Sequence, residues 1–334
     1  MKAGKLSESA LKRSVLKQLH NGKSFVPPMV GGDYAAVQAK EAMVVQAIGA
    51  RCCGESLRGM LSVYNALNNL ACSGAKPLGI TMTLLLPTSC SENDLRRELA
   101  AIQAVCDKEE IPILGGHTEV TRSVTEPVIS ITATGTADTQ IIRPGQVEPG
   151  MDLLVTKAVG LEGTAILAIE KEKELLERYA QPFIDQAKKF VDYLSIRSEA
   201  AVAAQSGVAA MHDISEGGVF GALWELGQSS GVGLEIELKK IPLRQETVEI
   251  CEFFNLNPYK MVSGGSVLMA AKDGNAIVHA IRQAGGEAVI IGKATDSNDR
   301  VLINGDERRF LETTQTDEPV SYTHLRAHET TLHL

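Results

Sequence analysis

"MDLLVTKAVGLEGTAILAIEKE", residues 151 to 172, carries an apolar strand pattern into a glycine-punctuated turn and on into a helix pattern. Strands and helices already alternate ahead of it, so a second domain begins here on a plan similar to the first. The stretch just before, "DTQIIRPGQVEPG" (138–150), has two Pro-Gly turns and little apolar content, which is the composition of a boundary. At 334 residues the chain is long enough for about two domains, each burying its own core. The expected division is 1–148 and 149–318.

Working back from that boundary, "AMVVQAI" (42–48) and "LGITMTLLLP" (78–87) read as strands, and "PVISITATGTA" (127–137) alternates as a further one. Between the first two, Leu57, Leu61, Tyr64, Leu67 and Ala71 keep helical spacing, and Gly74 and Pro77 stop the helix. Asn65, Asn68 and Asn69 occupy its other side; asparagine is a poor helix former, so that side either meets something polar or is solvated. Ser91 is the expected cap of a second helix, with Asp94 reciprocating. "FVPPMVGGDYAAVQA" (25–39) reads as a stretch broken by proline and glycine. Further on come a helix at 274–285 and a strand at 287–295. The organisation is α/β or α+β with mixed pairing.

Composition excludes several functions. Apolar residues make up 44% but never run to the roughly 18 that a membrane span needs, and the amino terminus lacks a secretory pattern, so a cytoplasmic protein is expected. The net charge of −8 without a basic stripe, and 4% aromatics, argue against nucleic acid as partner. The six cysteines have no zinc spacing and read as reduced thiols, with adjacent Cys52 and Cys53 unassigned. "PVSYTHLRAHETTLHL" (319–334) holds three of the seven histidines without periodicity. It is either a metal-binding tail or non-native sequence resembling translated adapter read-through at the end of an environmental, metagenomic reading frame, and it is set apart from the fold.

Four glycine-rich stretches could carry chemistry. "PILGGHTEVT" (112–121) delivers a short strand into Gly115 and Gly116, read as a turn whose backbone N–H groups can face phosphate. Plain turn geometry explains the glycines as well. His117 is either a general base or phosphate donor, or a structural hydrogen-bonded residue. "HDISEGGVFGALWEL" (212–226) sets His212, Asp213, Ser215 and Glu216 before Gly217 and Gly218 at a helix start, where anions and simple caps are both favoured. "VGLEGTA" (159–165), with Gly160 and Gly163, and "VSGGSVLMA" (262–270) are further glycine turns. Together they raise the expectation of a site between the halves. Neither the Rossmann nor the P-loop spacing occurs.

In this order, "GGDYAAV", "NALNNLACSGAKPLGITMTLLLP", "GGHTEV", "VTKAVGLEGTAILA", "MHDISEGGV", "SSGVGLEIEL" and "NPYKMVSGGSVLMAA" resemble the superfamily of AIR (aminoimidazole ribonucleotide) synthetase. The superfamily also holds thiamine-monophosphate kinase, selenophosphate synthetase and the hydrogenase-maturation protein that dehydrates a carbamoyl group. The chain looks most like that last branch and the AIR-synthase-related proteins beside it. The resemblance implies an amino-terminal ATP-binding domain that forms a homodimer, a carboxy-terminal domain closing over the nucleotide, and a small-molecule substrate or a maturation-protein partner. It places Asp33, Asn65, Asn69, Gly115, Gly116 and Thr118 near ATP, and Gly160, Gly163, Asp213, Gly217 and Gly218 on the second domain's side. His117 and His212 become the catalytic candidates, and Asp33 and Asn69 the candidate ligands of Mg2+.

The chain departs from the family pattern where magnesium is held. Tyr34 follows Asp33 where a second Asp is usual, Ile48 stands near an expected Asp, Asn69 replaces an Asp, and His117 replaces an acidic residue. Magnesium requires hard oxygen ligands, which asparagine supplies weakly and isoleucine cannot. The cysteine on which the carbamoyl-dehydrating enzyme ends has no counterpart after Cys251. Two readings follow: an enzyme using ATP to activate an amide, carboxamide or phosphate acceptor, or a non-catalytic homodimeric nucleotide-binding or maturation scaffold.

Overall fold

The computed structural model describes residues 8–14, 16–18, 24–26, 29–39, 41–51, 57–137 and 141–312. Cys52, Cys53, residues 138–140 of the boundary stretch and the whole 319–334 tail lie outside the described residues. The chain forms two compact units, and the mixed α/β organisation expected from the sequence is found in both.

After a short helix α1 (Glu8–Ser14), the first unit is a six-stranded sheet. Its strands are β1 (Ser24–Val26), β2 (Ala35–Ala39), β3 (Ala42–Ala50), β4 (Lys76–Pro87), β5 (Ile113–Thr121) and β6 (Val128–Ala137), in the order β1-β2-β3-β6-β4-β5. Only β4 and β5 run parallel. Alternation decides which face is buried: Ile129, Ile131 and Ala133 of β6 point inward with Met43, Val45 and Ala47 of β3. On that face lie α2 (Arg58–Ala71) and α3 (Glu92–Lys108). Helix and sheet touch backbone to backbone at Gly49, where a Cβ would stand 2.4 Å from the Ala66 nitrogen. The expected Ser91 and Asp94 capping box is present, with Ser91 N–H donating to Asp94 Oδ2 at 2.8 Å. Burial pushes the Cys106 thiol of α3 up to about 11, and the nearby Asp107 charge adds to this, so it stays an inert thiol.

The stretch 25–39 holds two strands that the sequence reading left as broken chain. Pro27, Pro28 and the glycines obscured them, yet β1 and β2 sit at the edge, where interruptions are tolerated. The opposite face of this sheet carries hydroxyls in register, Thr81 and Thr83 beside Thr132 and Ser130, with exposed Ile48 opposite Thr132.

The second unit is made of the described residues within Met1–Gly22, Pro28–Gly32 and Ile142–Leu334. Its strands are β7 (Asp152–Thr156), β8 (Ala210–Asp213), β9 (Gly233–Glu237), β10 (Val267–Ala271), β11 (Ala288–Thr295), β12 (Arg300–Asn304) and β13 (Glu307–Phe310). They order as β13-β12-β9-β11-β7-β10-β8, with only β9 and β12 parallel. The helices are α4 (Leu161–Glu170), α5 (Glu172–Leu175), α6 (Gln181–Lys188), α7 (Arg197–Gln205), α8 (Gly218–Ser230), α9 (Gln245–Phe254) and α10 (Gly274–Gln283). Leu153, Val155, Leu223, Ile236 and Leu268 share one core under α8, while Leu167, Ile184, Ile250 and Met261 join α4, α6 and α9 in another.

α1 lies along α8. The Trp224 indole donates to Glu8 Oε2 at 3.1 Å, and the Arg300 guanidinium sits 4.3 Å over the same ring. Gly31, at φ +69, lets residues 29–32 cross α8 so closely that a Cβ would stand 2.7 Å from the Glu225 carbonyl oxygen. Residues 8–14 and 29–32, expected within a 1–148 domain, thus pack with the second half.

Candidate functional site

Three of the four glycine-rich stretches meet in the second unit. β10 lies between β7 and β8, antiparallel to both, so the segment entering β10 is on the same side as the segments leaving the other two. Those leaving segments run into α4 and α8, each opened by a left-handed glycine, Gly160 at φ +79 and Gly217 at φ +84. Contacts between the segments are backbone-close. A Cβ on Gly218 would stand 2.5 Å from the Tyr259 carbonyl oxygen, and one on Gly264 would stand 2.1 Å from Glu162 Oε2.

Hydrogen bonds then interlock them. Gly160 N–H donates to Ser263 Oγ at 2.6 Å, Gly163 N–H to the Val262 carbonyl at 3.1 Å, and Ser266 Oγ to the Ala158 carbonyl at 2.5 Å. Gly264 N–H donates to the buried Glu162 carboxylate at 3.1 Å, and Ile214 N–H to the Ser266 carbonyl at 3.2 Å. Thr164 Oγ1 donates to the Gly160 carbonyl at 2.7 Å and lies 2.9 Å from the Thr247 hydroxyl, from which it can accept. Gly160, Gly163, Asp213, Gly217 and Gly218 are therefore brought into one constellation. Two helix starts open beside it, where the dipole favours negative charge.

His212, proposed from the sequence as a reactive group, is 4% exposed. Its Nδ1 lies 2.9 Å from the Asp213 carbonyl oxygen, which can only accept, so this nitrogen carries the hydrogen. Its Nε2 lies 3.1 Å from Glu225 Oε2 on α8. Both ring nitrogens face protein acceptors, and in this arrangement His212 ties β8 to α8 instead of presenting a nitrogen to a reactant. Adjacent Asp213 is buried as well.

The first unit treats its candidates differently. Gly115, Gly116, His117 and Thr118 form no turn; all lie inside β5, an exposed edge strand. Their glycines have a sheet explanation. Register against β4 slips between Ile80 and Thr81, opposite Ile113 and Gly115, so Leu114 bulges and folds over Gly79. Gly116 then passes so near β4 that a Cβ would stand 2.3 Å from the Met82 carbonyl oxygen. His117 remains exposed, its Nε2 3.3 Å from Glu119 Oε2 on the same side of the strand. Asn65 is buried in α2, and Asn69 donates through Nδ2 to the Ile48 carbonyl at 3.3 Å, which answers the question of what lies against that polar side. Asp33 stands just before β2. β2 and β5 are four strand spacings apart in the sheet, roughly 19 Å, so one chain does not bring Asp33 to Gly115–Thr118.

Residues 29–137 match the family described as AIR synthase related protein, N-terminal domain, and residues 148–304 match its C-terminal domain. A putative hydrogenase expression/formation protein of Methanocaldococcus jannaschii is 31% identical over 250 residues, covering 73% of this chain and 72% of that protein. The chain belongs to the AIR synthase related family. Among solved structures, the hydrogenase maturation protein HypE in complex with ATP superposes with a TM-score of 0.71 at 17% identity, covering 95% of this chain and 97% of that one. HypE from a HypE–HypF complex gives 0.72 at 20% identity, covering 85% and 94%. At these identities the likeness is one of fold.

For this AIR synthase related protein, the metal question turns on the donors present. Among the described residues no three His, Cys, Asp or Glu side chains gather to hold a metal ion. Ile48, at the place of an expected acid, is an exposed hydrocarbon. Among the described residues no helix is long and apolar enough to cross a membrane.

Several residues of the constellation escaped the sequence reading. Glu162, Ser263 and Ser266 lie within the quoted glycine stretches and were visible as polar neighbours. Glu225 carried no signal, because its partner His212 is reached only once α8 folds back on β8.

Proposed function

We propose that this AIR synthase related protein binds ATP and uses it to activate a small amide, carboxamide or phosphate acceptor, in the manner of the hydrogenase-maturation branch. The observation that carries the reading is the interlocked constellation of Gly160, Gly163, Gly217, Gly218 and the 262–266 segment, with two helix starts beside it. Such a surface lets anionic oxygens approach the backbone, and it is rigid before the ligand arrives. The solved HypE complex with ATP supports the choice of ligand. In this reading His117 and Thr118 contact phosphate, His212 holds β8 and α8 in place, and catalysis rests on positioning and charge stabilisation. No step is assigned to magnesium.

A homodimer belongs to the same proposal. The hydroxyl-lined sheet face and the separation of Asp33 from Gly115–Thr118 are both accounted for if a second copy covers that face and completes the nucleotide's surroundings. The HypE–HypF complex supports a maturation protein as a further partner. A second reading, a nucleotide-binding scaffold without catalysis, is favoured by exposed Ile48.

Calorimetric titration of the chain with ATP, with and without magnesium, decides between these readings. Saturable binding strengthened by magnesium supports the enzyme; binding indifferent to magnesium supports the scaffold. No binding removes the enzyme and leaves a maturation scaffold that takes no nucleotide.

A further inference from the structure

Lys157 is absorbed by neither reading, although its surroundings are unusual for a lysine. It follows β7 directly, has a left-handed φ of +51, and is mostly buried. Its Nζ donates to the Ser195 carbonyl at 2.8 Å and the Gly265 carbonyl at 2.9 Å, and pairs with Glu199 Oε1 at 2.8 Å. An ammonium has three hydrogens, and here three acceptors come from three different segments. Glu199 of α7 is itself buried, and Ser198 Oγ donates to its other oxygen at 2.7 Å.

The geometry selects one of those segments as the object of the clamp. Gly265 is at φ +99, and a Cβ there would stand 2.4 Å from the Tyr193 carbonyl oxygen, so the 262–266 segment is pressed against 193–195 at the point where Lys157 bonds both. Its other tethers run to residues 158–163, the continuation of Lys157's own strand end, and through the Ser266 carbonyl to Ile214 after β8. Lys157 is the tether that binds the segment to 193–195. A point charge with three rotatable hydrogens suits this task, whereas a planar guanidinium does not.

We propose that Lys157 is a positioning residue: braced by Glu199, it sets the backbone of Ser263–Ser266 in the orientation that receives the phosphate groups of ATP. The proposal rests on the nucleotide-binding reading above. It acts through preorganisation, so its loss weakens binding without removing a ligand contact.

The test compares the wild-type chain with Lys157→Met/Glu199→Gln. Removing Lys157 alone would leave a buried carboxylate uncompensated, while the paired change leaves none. ATP affinity by calorimetry and amide exchange at 264–266 are read on both. The expected result is a folded variant that binds ATP roughly tenfold more weakly, with faster exchange at 264–266 and unchanged protection in β10. Wild-type affinity in the folded variant overturns the proposal. If the variant does not fold, the wild-type chain decides: ATP should slow exchange at 264–266, and no slowing overturns the proposal. A wild-type chain that takes up no ATP overturns the nucleotide reading first, and is recognised as such because the variant is not needed to see it.

Discussion

A methyl group at position 116 would stand 2.3 Å from the Met82 carbonyl oxygen, and β5 cannot withdraw without breaking its ladder to β4. Gly116→Ala should therefore destabilise the chain by about 1–3 kcal/mol, measured as a lower denaturant midpoint. His117, the next residue along the chain but exposed, belongs to the other kind of residue. His117→Ala should leave that midpoint within about 0.5 kcal/mol and, on the proposed phosphate contact, weaken ATP by roughly tenfold. Unchanged ATP affinity would return His117 to a plain pairing with Glu119. At this scale the sequence exposed identities without their partners. Ser91 and Asp94, three residues apart, were readable as a cap because a helix start is local. His212 and Glu225 were not, since only the packing of α8 on β8 joins them.

Among the described elements, α1 has an attachment that can be titrated. Burial raises the Glu8 carboxyl, but hydrogen bonds from Lys12 and Trp224 and the attraction of Lys12 and Arg300 outweigh it, holding the group below the usual carboxylate range. A lowered folded value means that the stabilisation is present above the ordinary carboxylate pKa, about 4.3, and is lost as pH falls through the lowered value. Trp224 is the chain's only tryptophan, so its fluorescence reports this contact directly. An acid transition in emission is expected before global unfolding, and Glu8→Gln should abolish it; a transition that survives the substitution would place its origin elsewhere. Strand legibility followed position. β6 alternated cleanly because one face is buried, whereas β1 and β2 lie at an edge that admits proline and glycine. The two glycines of β5 mimicked a turn because a bulge uses the same residue type.

For the whole molecule, the prediction concerns how many copies act together. If a second chain covers the hydroxyl-lined face of the first sheet, the wild-type protein should sediment as a dimer and Ile48→Arg as a folded monomer. An Ile48→Arg protein that remains dimeric would move the contact to another surface. The α/β organisation was legible from strand and helix order alone, but the grouping of residues 8–14 and 29–32 with the second half was not, because no local pattern marks which core a short segment joins. The placement of β10 between β7 and β8 has a consequence for synthesis. The ribosome delivers β7 at residue 152 and β8 at 210, yet the strand that joins them arrives only at 267–271. Until then both carry bare edges, and neither glycine turn has its counterpart. High contact order of this kind slows folding and exposes nascent chain to mispairing. The constellation is therefore assembled late, only after residues 262–271 have followed the other two glycine turns out of the tunnel.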